Sequence, residues 1–371
     1  MKRAARIFEE LDDWEVLCTF LPKGWEQKAR ELGALKRARG IADAQALLRV
    51  LLIHIAGGCS LAETAVRAEH LGLGQMNGSA VYKRLRSAEE WLRWLAEQTR
   101  YQFGMMPPEA DRKLRAVDAT TICEPGQTGS LWRIHYSMDL RNLRCDFFQL
   151  TDVHGGESWQ RFPVESGDIL LGDRGYAKAP GIEHVLGAQA DVVVRLNRNA
   201  LPLWDKRGAR IQPLKAARGL GPKQCGEWFA KVKLPSGSVA KGRLIIVRLS
   251  RQAALRARRQ LQRQASKKQI KLNAARLEAT QYVILWTSLP VSWSRIKVLN
   301  LYRCRWQIEL AFKRMKSIMN AGHLPKKDPE SCRAWLYGKL LTSLLVERLI
   351  AAAKNISPWG YELEPPSQPM A

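Results

Sequence analysis

Acidic side chains are scarce in this sequence of 371 residues: 35 Asp and Glu stand against 60 Lys and Arg, a formal charge of +25. Such an excess attracts polyanions, so nucleic acid is the expected partner, with a membrane surface or a merely basic soluble protein as the alternatives. Cysteine is also sparse. The seven Cys are scattered singly, with no C-x-x-C and no Cys/His group at zinc spacing, the usage of reduced thiols in a cytosol. Long apolar runs are missing too. The start, "MKRAARIFEELDDWEV", has no apolar h-region, and "ALLRVLLIHIAGG" and "LLTSLLVERLIAAA" are broken by Arg49 and by Glu347 with Arg348. A cytoplasmic protein is expected. No phosphate-binding loop is present, since "GPKQCGEW" carries Glu227 where the Lys belongs, and no G-x-S-x-G, H-E-x-x-H or calcium loop occurs. Nucleotide hydrolysis, serine hydrolysis and zinc chemistry all lose ground. His135, His154 and His184 have no partner at metal-ligand spacing.

What is present divides along the chain. Residues 1–110 read as helices: "ADAQALLRVLLIHIA" is a buried one, and Ser60 and Ser79 are expected to cap the next two. The intervening turn "GLGQMNGS" has a helix-turn-helix outline, with Lys83, Arg84 and Arg86 early in the second helix. "MMPPEADRK" breaks the pattern. Short β-branched and aromatic runs follow over 111–198, with "APGIEHVLGAQA" as a helix between the fourth and fifth strands, which predicts an α/β fold on a mixed sheet. Over 199–290, "EWFAKVKLP" and "GRLIIVRLS" read as a hairpin, before a basic helical stretch, "SRQAALRARRQLQRQASKKQIKLNAARLE". That stretch is either a solvated helix or a wall against DNA. The remainder, 291–356, is helical, and 357–371 is an expected disordered tail.

The informative acids are few. Asp118 lies inside the strand-like "KLRAVDATTIC", where Asp is disfavoured, and Asp173 follows the apolar "DILLG" directly. Singly, each is explained by a turn cap; together on one sheet they offer hard oxygens to Mg²⁺ or Mn²⁺. Glu309 is the single carboxylate among five basic residues in "LYRCRWQIELAFKRMK". At helical pitch Tyr302, Arg305, Glu309 and Lys316 fall within a stripe of roughly 60°, opposite Cys304, Ile308, Ala311, Phe312, Met315 and Met319. A surface ion pair with Lys313 is the plainer alternative for Glu309.

Tyr302, Arg305, Glu309 and Lys316 match Y-x-x-R-x-x-x-E-x-x-x-x-x-x-K, and the chain thereby resembles bacterial transposases of the insertion sequence four family. "VDATTI" and "LGDRGYA" resemble that family's two Asp regions. The likeness spans roughly residues 40–350. It implies a ribonuclease H-like core interrupted by a β-rich insertion, behind an all-helical N-terminal region. It implies that Asp118, Asp173 and Glu309 hold two Mg²⁺ or Mn²⁺ ions for cut-and-paste transposition, with ends freed through a DNA hairpin. Tyr302, Arg305 and Lys316 would hold phosphates, and a synaptic homodimer would bind terminal inverted repeats and target DNA. Arg174 is expected at the hairpin or in an ion pair. Trp286 is expected either to stack on an extruded base or to pack in the core, and Trp306 to pack. Residues 335–353 are expected in the core or at a dimer contact. A nuclease that cuts without joining, or an inactive DNA-binding remnant, are the alternatives.

Overall fold

The computed structural model describes residues 13–101, 112–123, 130–197, 200–267, 269–322, 324–325 and 327–353; most of "MMPPEADRK" and the tail from 357 lie outside them. Six helices come first: Asp13–Cys18, Trp25–Glu31, Ala44–Ile55, Leu61–His70, Gly78–Ser87 and Glu89–Tyr101. Eight of the twelve residues of Ala44–Ile55 are buried, as its near-continuous apolar sequence requires. Ser60 caps the fourth helix, its hydroxyl accepting from the Glu63 N–H at 3.1 Å. The fifth begins earlier than expected: Asn77, not Ser79, is its cap, with the side-chain oxygen accepting from the Ala80 N–H at 2.9 Å. Asn is as good a cap as Ser, and here it is met first.

The helix-turn-helix outline is present, but its basic residues are largely engaged within the chain. Arg84 donates to the carbonyls of Arg37 and Arg39 at 2.7 and 2.9 Å. Arg86 pairs with Glu330 and lies 3.7 Å from Asp328, and the Tyr82 hydroxyl donates to Asp328 at 2.6 Å. Lys83 is exposed.

These contacts dock the fifth helix on the Pro329–Ala353 helix, which shares one apolar core with the N-terminal helices and with the strands nearest them. Trp335, Leu336, Leu340, Leu341, Leu344 and Leu345 are all buried there. Gly338 permits close approach, because a methyl at this position would collide with Ile55 Cδ1. Buried Arg348 donates to the carbonyls of Phe20 and Thr99 at 2.6 and 2.9 Å, joining three segments remote in sequence. Core packing thus accounts for residues 335–345. Among the described residues no helix is long and apolar enough to cross a membrane.

The fold is mixed α/β, built on one sheet of eight strands: β1 (Leu114–Cys123), β2 (Ser130–Asp139), β3 (Arg144–Asp152), β4 (Ile169–Gly172), β5 (Asp191–Arg195), β6 (Cys225–Lys233), β7 (Val239–Arg248) and β8 (Tyr282–Thr287). Their order is β3-β2-β1-β4-β5-β8-β7-β6. β1, β2 and β3 pair antiparallel, β4 and β5 run parallel to β1, and β8, β7 and β6 continue antiparallel. The expected hairpin β6–β7 therefore hydrogen-bonds to the same sheet through β8. The crossover helix, Ala179–Gly187, and the basic helix, Arg251–Lys267, also form.

Alternation along the strands splits the sheet into two faces. On one face Val117, Leu170, Val192, Val194, Leu244 and Trp286 pack with Trp159 and Tyr176. On the other, Ala116 and Ile122 belong to the large N-terminal core, whereas Ile169, Leu171, Val193 and Leu285 form a small separate cluster. The helices Arg295–Cys304 and Trp306–Lys313 lie across this second face, Val298 in the small cluster and Ile308, Ala311 and Phe312 in the large one. The seam between those clusters positions the site.

Candidate active site

β1 and β4 are adjacent and parallel, with Ala116 opposite Leu171. Two residues further along each chain come Asp118 and Asp173. Because side chains repeat every second residue, Asp118 shares the face of Ala116, under the helix that bears Glu309. β4 ends at Gly172, so Asp173 turns out of the sheet and caps the short turn Arg174–Tyr176, its Oδ1 accepting from the Gly175 N–H at 2.7 Å. Asp118 Oδ1 accepts from the Ala119 N–H at 2.8 Å. Burial, and then the charge of Asp173, push the Asp118 carboxyl up to about 7.

Arg305 connects this pair to the third acid. Its Nη2 donates to Glu309 Oε1 one helical turn on, and its Nη1 lies 3.6 Å from Asp118 Oδ2. The guanidinium sits over the Tyr302 ring at 5.7 Å, and Nε and Nη1 find no hydrogen-bond acceptor. The helix is not continuous here. Arg305 separates Arg295–Cys304 from Trp306–Lys313, and a π-helical turn, Arg314–Ile318, follows. This break leaves Cys304 exposed, against its expected place on the apolar side, while Ile308, Ala311, Phe312 and Met315 are buried as expected.

Asp173, Tyr302, Arg305 and Glu309 line one cleft of about 690 Å³, together with Arg174, Arg195, Asn197, Gln260, Gln264 and Arg276. The donor set is oxygen from carboxylates, which suits Mg²⁺ or Mn²⁺ and not a soft-ligand metal. Among the described residues, no three of the Asp, Glu, His and Cys side chains close tightly enough to hold an ion, and Arg305 stands between Asp118 and Glu309.

The transposase DDE domain model matches residues 151–345. The transposase of insertion sequence element IS421 from Escherichia coli is 33% identical over 357 residues, covering 94% of this chain and 96% of its own. The chain is a DDE transposase of the insertion sequence four family. InsL, from element IS186A of Escherichia coli strain K12, is likewise 33% identical over 356 residues, with 94% and 96% covered. The transposase of element IS231F from Bacillus thuringiensis subsp. israelensis is 26% identical over 270 residues, 63% of this chain and 56% of its own.

The transposase places the other expected residues unevenly. Arg174 lines the cleft beside Asp173. Lys316 falls in the π-helical turn, half-buried, and is not among the cleft-lining residues. Trp286 requires a correction: it is fully buried in a central strand, its indole N–H donating to the Ala230 carbonyl at 3.2 Å. A methyl at Gly242 would stand 2.5 Å from its ring, so the indole is packed against its neighbour strand and presents no face to a base. Trp306, in contrast, is 56% exposed.

One face of the basic helix supplies Ala257, Gln260, Leu261 and Gln264 to the cleft wall. Arg256, Arg259 and Arg263 each precede a lining residue in sequence and are exposed. Glu157, Tyr176, Arg195 and Gln260 escape a reading of the sequence, because nothing in their spacing connects them to the Asp and Glu motifs. His135 is buried, bonded to Thr151 Oγ1 at 3.0 Å, and burial pushes its ring down to about 4, which leaves it neutral. Asp146 and Asp168 are structural acids, held by buried Arg115 at 2.6 and 3.0 Å.

Proposed function

We propose that this transposase carries out cut-and-paste transposition of an insertion sequence, with Asp118, Asp173 and Glu309 as the carboxylates that hold two Mg²⁺ or Mn²⁺ ions. The observation that carries the proposal is the Arg305 bridge: one guanidinium neutralises acids from a strand and a helix that are 191 positions apart in numbering, beside Asp173. A cationic side chain between carboxylates marks a place where a cation is favourable. Divalent ions bound there would activate a water or a DNA 3′-OH and stabilise the leaving oxygen.

With ions held by these carboxylates Arg305 would be released from them, and its fork would suit a phosphate oxygen pair beside the scissile bond, while the Tyr302 ring beneath it restricts where the guanidinium goes. Lys316 and Arg174 hold neighbouring phosphates along the same track. An end released through a hairpin needs an aromatic face for the extruded base; exposed Trp306 fills that role where Trp286 does not. The strand order β3-β2-β1-β4-β5, antiparallel then parallel, supports a ribonuclease H-like core, with β6, β7 and the basic helix as its insertion. Double-stranded terminal repeats and target DNA are the partners, in a synaptic homodimer. The exposed Val346, Leu349 and Ile350 of the last helix are its candidate contact.

End-labelled terminal repeat, target plasmid and Mg²⁺ test the reading. Wild-type protein yields cleaved ends and joined product, and Asp118→Ala abolishes both while binding in EDTA or Ca²⁺ persists. Equal loss of binding would make Asp118 a structural residue, and nicks without joined product would make the chain a nuclease.

A further inference from the structure

Behind Asp173 lies a second acid. Glu157 follows β3 and the Gly155–Gly156 pair, and its backbone is pinned by the next residue but one: Trp159 is fully buried, and its indole N–H donates to the Tyr176 carbonyl at 2.7 Å. The Trp159 and Tyr176 rings pack at 5.0 Å. This clamp holds Glu157 over the turn that Asp173 caps. A methyl at Gly175 would collide with Glu157 Oε2 and stand 3.2 Å from Asp173 Oδ1, so both oxygens crowd one point that only glycine leaves open. The charges of Asp173 and Glu157 both act on Asp118. Among the described residues, Glu157 forms no ion pair within 4.0 Å.

An independent observation points into the same space. Tyr176 is wholly buried, yet its hydroxyl has no hydrogen-bond partner. The carboxylates within electrostatic reach of that hydroxyl are Asp118, Glu157 and Asp173. A phenol buried without a partner costs about 1–3 kcal/mol, a cost that a ligand in the adjoining space would relieve. Tyr176 and Trp159 belong to the core of the opposite sheet face from the one under Glu309. Tyr176 therefore approaches the acids from the far side of the sheet, and among the described residues no ion pair joins Arg305 to Asp173.

Resting on the metal-site reading above, we infer that Glu157 is a fourth carboxylate of that site, supporting the divalent ion at Asp118 and Asp173, with the Tyr176 hydroxyl as a hydrogen-bond donor to that cluster. Glu157 supplies a hard oxygen and a negative charge; Tyr176 supplies the proton that orients a carboxylate oxygen or an ion-bound water.

Mn²⁺ binding by the full-length protein without DNA, read as free Mn²⁺ by electron paramagnetic resonance, tests this independently of turnover. Glu157→Gln is expected to weaken Mn²⁺ binding about tenfold or more, and Glu157→Asp to recover part of it. Circular dichroism and DNA binding in EDTA stay at wild-type values. Tyr176→Phe is expected to unfold no earlier than wild type without metal, having lost a polar atom that was unsatisfied, and to bind Mn²⁺ more weakly. Asp118→Asn is the control. If it loses Mn²⁺ binding while Glu157→Gln binds like wild type, the fourth carboxylate is wrong and the three-acid site stands. If Asp118→Asn itself binds like wild type, the underlying site is wrong and the inference falls with it.

Discussion

The Arg305 guanidinium lies 3.6 Å from the Asp118 carboxylate, joining the helix over the sheet to the strand beneath it. Both side chains are mostly enclosed, at 13% and 17% exposure, so this contact is screened less than a surface ion pair. The other arm of Arg305 holds Glu309, which is 45% exposed and faces the cleft.

Removing that cation leaves Asp118 and Asp173 to repel each other under the helix. In EDTA, Arg305→Ala is expected to lower unfolding stability by about 1–3 kcal/mol, the cost of an enclosed charge left unpaired. Millimolar Mg²⁺ should restore more stability to the variant than to wild type, because the ion takes the vacated place. Urea unfolding with and without Mg²⁺ measures this. An Mg²⁺ increment equal in both proteins would show that Arg305 and the metal do not share a site.

The basic helix offers a graded test of DNA contact. Arg256, Arg259 and Arg263 are exposed on the helix that walls the cleft. Each phosphate they neutralise adds about 0.9 to the slope of log affinity against log salt. Replacing all three by Ala is expected to flatten that slope by about 2 to 3, measured by fluorescence anisotropy on terminal-repeat DNA in Ca²⁺. An unchanged slope would reduce the helix to a solvated surface element.

Glu347 gives the fold a pH dependence away from the cleft. It sits on the Pro329–Ala353 helix under β2 and β3, accepting from the Tyr136 hydroxyl at 3.4 Å, with the Cys145 N–H at 3.5 Å. Arg144 and Arg314 lie near enough to favour its charge, yet burial prevails and pushes the carboxyl up to about 7 from an ordinary 4.5. With its folded value raised, the stability it contributes is complete below about pH 4.5 and is lost as pH rises through 7. Glu347→Gln should therefore exceed wild type by about 1–3 kcal/mol at pH 8 and lose most of that advantage at pH 5.5. Unfolding curves at the two pH values decide; an advantage independent of pH would mean the carboxylate is solvated.

Much of the architecture is legible in short segments. The alternation of "KLRAVDATTIC" and the apolar block "DILLG" announce β1 and β4, and the Ser60 cap and the β6–β7 hairpin follow from local chemistry. Such features depend on neighbours in sequence, so residue pattern suffices. Trp286 shows the limit. An aromatic in "YVILWTSLP" fits an exposed stacking platform and a central strand equally well, and only the pairing of β8 between β5 and β7 buries it. The stripe from Tyr302 to Lys316 is half legible: composition sets the apolar side, but the break at Arg305 and the π turn shift its ends.

By itself the sequence determined the charge field, the strands and helices, and the motif that names Asp118, Asp173 and Glu309, because each is written in residue type and spacing. Tertiary structure alone decided that Asp118 on β1 and Asp173 just past the end of β4 come from adjacent parallel strands, that Arg305 bridges Asp118 to Glu309, and that Glu157 and Tyr176 come up behind Asp173. Those relations arise from strand order and from the packing of Trp159, contacts between residues too far apart in the chain for any local pattern to record them.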